Sequence, residues 1–430
     1  MVRNWEIMDI SSLKKEMQEV LEQNILQFWL DKMMDETDGG FLGRLDGHGV
    51  LHPEAEKGAI LNARILWAFS AAYRVLKKPE YLEAATRAKR YIIDHFYDPE
   101  FGGIYWSLDS KGQPKDTKKQ FYAIGFAIYG LSEYARATAD PEALDYALDL
   151  FDCIEEHAFD REHNGYIEAC TREWGEIADM RLSELDANYP KSQNTHLHII
   201  EPYTNLFRCL KEMRENSLCN YVPSIGAVLP VGITVPQETF DRVAQALRNL
   251  IGIFTDRILN PETHHLDLFF GMDWTREAGR LESYGHDIEC SWLMHEAALV
   301  LGDKVVLQQV EEVVRMVAKA SEKGLNADGS MVHEANLDTG HVDTDRHWWV
   351  QAEAVVGFYN IYQYFGDEDA LQKALNCWQY IKDHLIDWDG GEWWWSCDPD
   401  GNINQRDDKA GFWKCPYHNS RMCLEIIERE

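Results

Sequence analysis

Basic side chains are scarce in this 430-residue chain: 42 lysines and arginines stand against 73 aspartates and glutamates, a formal net charge of −31 at pH 7. No basic stripe is available to neutralise phosphates, which excludes nucleic acid as a partner, and the same balance excludes docking on an anionic membrane. Cysteine pairs are missing too. The nine cysteines are odd in number, with no CxxC and no regular framework, and read as reduced thiols. A long apolar run is also lacking. The least polar stretch, Tyr221–Val235, is broken by Pro223, Gly226, Pro230 and Gly232 and is no membrane span. The opening MVRNWEIMDI has no signal-peptide core, and no nucleotide fingerprint is evident. These absences point to a cytoplasmic protein that handles a neutral small molecule without a cofactor. A monomer or weak homodimer is expected.

Apolar material is plentiful: 45% of the chain is hydrophobic and 12% aromatic, enough for a sizeable core. Six short segments share one pattern, an acidic or proline-containing turn, small residues, then an apolar run. They are DETDGGFLGRLD from Asp35, DPEFGGIYWSLD from Asp98, DREHNGYIEA from Asp160, PETHHLDLFF from Pro261, NADGSMVHEA from Asn326 and DWDGGEWWWSCD from Asp387. Gly40 to Gly103 is 63 residues, Gly103 to Gly165 is 62, Leu266 to Gly329 is 63 and Gly329 to Gly391 is 62. Only the step from Gly165 to Leu266 is long, at 101. The chain is therefore a sixfold repeat.

Paired helical patterns fill the intervals, with apolar residues at spacings of three and four, as in Ala123, Phe126, Ala127, Gly130, Leu131 and Tyr134. The first helix is expected at Ile10–Lys32, the inner members at Gly58–Leu76, Lys119–Thr138, Thr195–Arg214, Ser283–Leu301, Thr344–Phe365 and Gly411–Glu428. A linear solenoid would need polar terminal caps. Here Leu26, Phe28 and Trp29 at one end and Met422, Leu424 and Ile426 at the other are apolar enough to pack together. The expected fold is an all-α (α/α)6 barrel, a single domain over 1–430. Insertions at about Thr171–Gln193 and Glu215–Gln237 should be long loops over the barrel mouth.

Polar and aromatic residues stand where a structural core would put Leu, Val or Ala. The first turns of the inner helices offer Arg64, Tyr122, His198, His286 with Glu289, Trp349 with Glu353, and His418. In SYGHDIECSWLMHEA, from Ser283, His286 and Glu289 are three apart and share a helix face, so the carboxylate could orient the imidazole as a general base. Asp287 joins this polar set. His196 and His198 invite a metal reading, but no further cluster has ligand spacing, and no metal site is expected. Trp106, Trp348, Trp349, the run Trp393–Trp395 and Trp413 suit the stacking of sugar rings, although tryptophans can equally staple hairpins together. In the triple run, alternation means at least one points inward and one outward.

The motifs NTHLHIIE, GHDIECSWL, RHWWVQAEA and KCPYHNSR on six helical hairpins resemble the N-acylglucosamine 2-epimerase superfamily, most nearly its cellobiose 2-epimerase branch. The resemblance covers nearly the whole chain. It implies a cofactor-independent inversion at C2 of a reducing-end sugar, with His286 and His418 as the acid/base pair and His198 assisting. It further implies that Arg64, Tyr122, Asn194, Glu289, Trp349, Glu353 and Trp413 line the sugar subsite. The insertion at Glu215–Gln237 departs from the family pattern and bears on substrate range. The expected substrates are β-1,4-linked disaccharides, cellobiose and lactose. A mannose 2-epimerase or a mannose/fructose isomerase is the alternative. Glycoside hydrolysis would need two carboxylates across the scissile bond and ranks below, as does a non-catalytic sugar-binding protein.

Overall fold

Six tight turns set the frame. Single antiparallel bridges join Met34 to Phe41, Tyr97 to Ile104, Phe159 to Tyr166, Leu259 to Leu266, Leu325 to Met331 and Ile386 to Trp393, one in each repeat. The turn's glycines let the chain reverse close against a neighbour: at Gly40, where φ is +65°, a Cβ would meet the Tyr91 ring at 2.6 Å. In four repeats the turn's aspartate accepts from a lysine lying ahead in the chain. Lys57 Nζ stands 2.7 Å from Asp35, Lys119 2.9 Å from Asp98 and Lys191 2.7 Å from Asp160, and Lys409 pairs with Asp387. The first three lysines also donate to turn carbonyls, of Gly39, Gly102 and Asn164. These buried ammonium groups fasten four of the six turns to the chain that leads into the next inner helix.

The computed structural model describes residues 10–184, 186–219 and 235–429. The first helix runs as α1 (Ile10–Val20), a π-helical turn at Leu21–Leu26 and α2 (Gln27–Lys32). Then come α3 (Ala59–Leu76) with α4 (Pro79–Tyr91), α5 (Phe121–Thr138) with α6 (Pro141–His157), and α7 (Gln193–Cys219) with α8 (Gln237–Ile253). The last are α9 (Tyr284–Leu301) with α10 (Lys304–Ser321), α11 (Trp348–Phe365) with α12 (Glu368–His384), and α13 (His418–Glu428). Helices α3, α5, α7, α9, α11 and α13 pack each on the next, and α13 packs back on α3. Their partners form the outer ring, with α1 against α13. Leu26, Phe28, Trp29, Met422, Leu424 and Ile426 are all buried, and Leu45 bridges Ala410, so the ring closes as an (α/α)6 barrel.

Packing on two sides explains the sequence of the inner helices. α5 is buried without a break from Phe121 to Ala137, whereas α10 buries one stripe, Val310, Val314, Val317, Ala318 and Ser321. Short strand pairs stitch the inner helices to the following repeat, as where Lys119–Gln120 pairs with Ala169–Cys170 and Arg346–His347 with Ser396–Cys397. That pairing starts α11 at Trp348 rather than Thr344. α13 begins at His418 rather than Gly411, because Pro416 pushes Cys415 out of helical geometry.

Residues 171–192, described apart from residue 185, form a loop without helix, as expected. The second expected insertion opens as helix. α7 runs to Cys219, into the stretch expected to be irregular, and α8 starts at Gln237; residues 220–234, with most of Tyr221–Val235, lie outside the described residues. Among the described residues no helix is long and apolar enough to cross a membrane. Eight of the nine cysteines, Cys219 apart, are free thiols.

Candidate active site

Residues one turn apart share a helix face, and counting from the first residue of each inner helix locates the pocket. Second and sixth positions are Ile60 and Arg64 in α3, Tyr122 and Phe126 in α5, Asn194 and His198 in α7, Gly285 and Glu289 in α9, and Trp349 and Glu353 in α11. In the last repeat the same register counts from Pro416 and gives Tyr417 and Arg421. Fourth positions turn away to clamp the neighbouring turn. His196 Nε2 accepts from Tyr166 N at 3.0 Å, Asp287 from Leu266 N at 2.9 Å, and Gln351 Oε1 from Met331 N at 2.8 Å. The third position carries a histidine in two repeats only, His286 and His418.

These two imidazoles flank Trp349, whose ring lies 5.0 Å from His286 and 5.6 Å from His418. Ser283 Oγ holds His286 Nδ1 at 2.7 Å. His418 Nδ1 donates to Glu353 Oε1 at 2.7 Å, which leaves the lone pair on Nε2. Burial holds both imidazoles well below their ordinary pKa. The charges of Arg64 and Arg421 depress His418 further, and His333, His198 and His418 act likewise on His286. Both are therefore neutral bases at rest.

Arg421 is the hub beneath them. Fully buried, it donates to Glu289 and to Glu353 at 2.6 Å each, and also to Glu201 and Tyr417. Burial and the adjacent Glu353 charge raise Glu289 well above the usual carboxylate range. Glu201 stays ionised: burial pushes it up, but Arg421 and His198 outweigh that. Glu201 holds His198 Nδ1 at 3.0 Å. The donor atoms of Glu289, Glu353 and His418 lie within 4.8 Å of one another, but the guanidinium of Arg421 binds both carboxylates there.

Arg64 has a different environment. It donates to Tyr122 Oη at 2.9 Å and lies 4.1 Å from the Phe126 ring, and no ion pair to it occurs among the described residues. Its charge is thus uncompensated. The Tyr122 ring meets His198 at 4.8 Å and Trp413 at 6.0 Å. A cavity of about 360 Å³ opens beside His286 and Asn194, walled by Leu182, Asp186 and Tyr189 of the long loop. Asn194 Oδ1 is buried there without a partner among the described residues.

All ten residues singled out from the sequence thus fall in one connected region, with two corrections. Glu289 does not orient His286. Ser283 does, because Glu289 sits on the sixth-position face toward Arg421 and 3.8 Å from His418 Nδ1. Asp287 leaves the polar set altogether, pairing with His265 at 2.6 Å on the outer side. Sequence reasoning passed over Glu201, Arg421 and Tyr417, although all lie within the quoted motifs. The signal was available: His198 and Glu201, like His418 and Arg421, are three apart on one helix. In the tryptophan run, Trp393 is fully buried, Trp394 lies under the Lys409 ammonium and Trp395 packs on Trp348 at 4.7 Å. These contacts staple repeats together.

The family model described as N-acylglucosamine 2-epimerase (GlcNAc 2-epimerase) matches residues 40–202 and 234–421. Cellobiose 2-epimerase of Bacteroides fragilis is 57% identical over 96% of this chain and 98% of its own length. Its namesake in Ruminococcus albus is 38% identical over 98% and 99%. The solved cellobiose 2-epimerase of Bacillus thermoamylovorans superposes with a TM-score of 0.86 at 39% identity, covering 98% of this chain and all of that one. The chain belongs to the N-acylglucosamine 2-epimerase family and is an isomerase of carbohydrates. The unmatched residues 203–233 include much of the expected second insertion.

Proposed function

We propose that this protein inverts C2 of the reducing-end glucose of β-1,4-linked disaccharides, converting cellobiose to glucosyl-mannose and lactose to epilactose. The observation that carries this reading is the pair of neutral histidines on either side of Trp349, at the same register two repeats apart. The full-length similarity to cellobiose 2-epimerases supports the substrate class.

The sugar ring opens first, which requires one acid and one base. In the open chain the C2–H bond lies next to the aldehyde, and its removal yields an enediolate. One histidine accepts that proton as a neutral base and becomes an imidazolium. The other, charged by the hydroxyl proton it takes from O1 as the ring opens, returns a proton to the opposite face of C2, and the first gives its own to O1 on ring closure, so atoms and charge balance without a redox partner. Glu353 stabilises the imidazolium at His418, as a carboxylate does behind any histidine base. Arg64, lacking a carboxylate of its own, supplies positive charge to the enediolate oxygen. His198, oriented by Glu201, serves ring opening at O1 or the ring oxygen. Trp349 and Trp413 offer stacking faces, and Asn194 a polar contact at the cavity.

The test is an NMR time course in D2O with cellobiose, lactose, mannose and N-acetylglucosamine in parallel. Deuterium at C2 with epimer from the disaccharides alone is the expected result. Epimer from mannose alone would overturn the disaccharide assignment, and fructose would make the enzyme an isomerase of the mannose type. No exchange with any sugar would end the enediolate mechanism.

A further inference from the structure

One cluster of metal-ligating side chains lies outside the proton-transfer set. His333 directly precedes the strand Glu334–Asn336, whose partner His341–Asp343 pairs Asp343 with Glu334. His347 lies four residues further, in the strand that opens α11. His333 Nδ1 and His347 Nε2 converge on a single oxygen, Oδ2 of Asp343, at 3.2 and 3.1 Å. All three donors lie within 4.8 Å of one another. Their side chains are 21%, 30% and 18% exposed, so an ion can reach them from solvent yet is sheltered by the Trp349 ring, 5.3 Å from His333.

We propose that His333, Asp343 and His347 bind one zinc-class divalent cation, which fastens the rim hairpin 334–343 to the start of α11. Two imidazole nitrogens and one carboxylate oxygen suit Zn²⁺ and its first-row neighbours. Calcium and magnesium would ask for six or more oxygens. Donors bonded to one tetrahedral ion at about 2.1 Å stand roughly 3.4 Å apart, close to the two separations here. Three protein ligands leave a fourth position for solvent on the cavity side, since all three residues line that cavity. The competing account is that the histidines only hydrogen-bond the carboxylate, which predicts no metal affinity at all.

Chelator-stripped full-length protein would be titrated with Co²⁺ and then Zn²⁺. The expected result is one equivalent of cobalt with visible d–d absorption, no thiolate-to-cobalt charge-transfer band, and displacement by zinc. His347→Gln keeps a hydrogen-bond donor toward Asp343 but removes a ligand. It should weaken binding by at least the roughly 10–100-fold that loss of an outer-shell partner costs, and abolish the zinc-induced rise in Tm seen in the parent protein. No saturable cobalt spectrum in the parent protein would overturn the proposal, whatever the variants do. So would a thiolate band, or equal affinity in His347→Gln and Asp343→Asn.

Discussion

Glu353→Gln removes one negative charge at constant side-chain length, behind the base that the mechanism needs. Glu353 Oε1 accepts from His418 Nδ1 at 2.7 Å and from Arg421 at 2.6 Å, while Oε2 accepts from Trp292 Nε1 at 2.9 Å. An amide can keep the first two bonds only by turning its NH2 onto the indole N–H. The buried donor left over costs about 1–3 kcal/mol of stability, visible as a lower Tm. The chemical effect is separate. An opposite charge this close is worth about 1–3 pKa units to an imidazolium, at ~1.36 kcal/mol per unit. Losing it should lower kcat/KM for C2 exchange about 10–10³-fold. A less basic His418 is deprotonated at lower pH, so the acid limb of the rate profile should move down. Arg421→Met provides the opposite sign, since Arg421 is one of the cations that depress His418; its acid limb should move up. The assay is deuterium incorporation at C2 followed by NMR across the pH range, with Tm measured alongside. A Glu353→Gln enzyme with wild-type kcat/KM, or with its acid limb shifted upward, would remove His418 from proton transfer.

Three further outcomes follow from the geometry. Ser283→Ala deletes the hydroxyl that orients His286, and should lower kcat more than it changes KM while costing only about 1 kcal/mol of stability, as denaturant unfolding would register. Gly125→Ala sets a Cβ 2.4 Å from the His198 carbonyl, which Pro202 four residues on leaves without its helical N–H partner; overpacking of about 1–3 kcal/mol and a displaced His198 should appear as lower Tm and lower turnover. Asp98→Asn breaks a buried pair with Lys119 and the contact with Arg172, a loss of about 3–5 kcal/mol in thermal or denaturant unfolding. Burial pushes the Asp98 acid up, but Arg172 and Lys119 outweigh it and hold the carboxyl below its ordinary value. Its stabilisation is therefore present above the usual carboxylate range and lost as pH falls toward the folded value, and the variant's acid unfolding should lack that component.

Much of the barrel was legible because its period is written in residues that only a turn tolerates, so spacing alone located six repeats and the apolar ends predicted closure. Helix boundaries were less legible. Strand pairing at Arg346–His347 and the proline at 416 act through partners or backbone geometry that helical periodicity does not report. The carboxylates were the harder case. His286 and Glu289 satisfy the same-face rule, yet a spacing of three leaves open which face meets the pocket. The choice depends on where α13 delivers Arg421, a fact fixed 132 residues away.

Register, more than residue type, assigns the roles. Fourth-position His196 and Asp287 look as reactive as their neighbours but serve the turns, because that face meets the adjacent repeat. Burial holds His196 neutral, its acid pushed down to about 4. The position just before the inner helix has diverged across the first five repeats, to Gly58, Gln120, Ser192, Ser283 and His347. Ser283 there orients a base; His347 there completes the nitrogen–oxygen cluster. The turn lock is also altered in these two repeats, where Asn260 and Asn326 replace the aspartate and Glu282 and Arg346 stand at the lysine position. Arg346 now reaches Ser330 Oγ at 3.0 Å, and Glu282 accepts from Lys323 at 3.1 Å. A sixfold scaffold thus gives up its common lock in the fourth and fifth repeats, which carry His286, Glu289, Trp349 and Glu353. The sequence departs from its own period where the chemistry is concentrated.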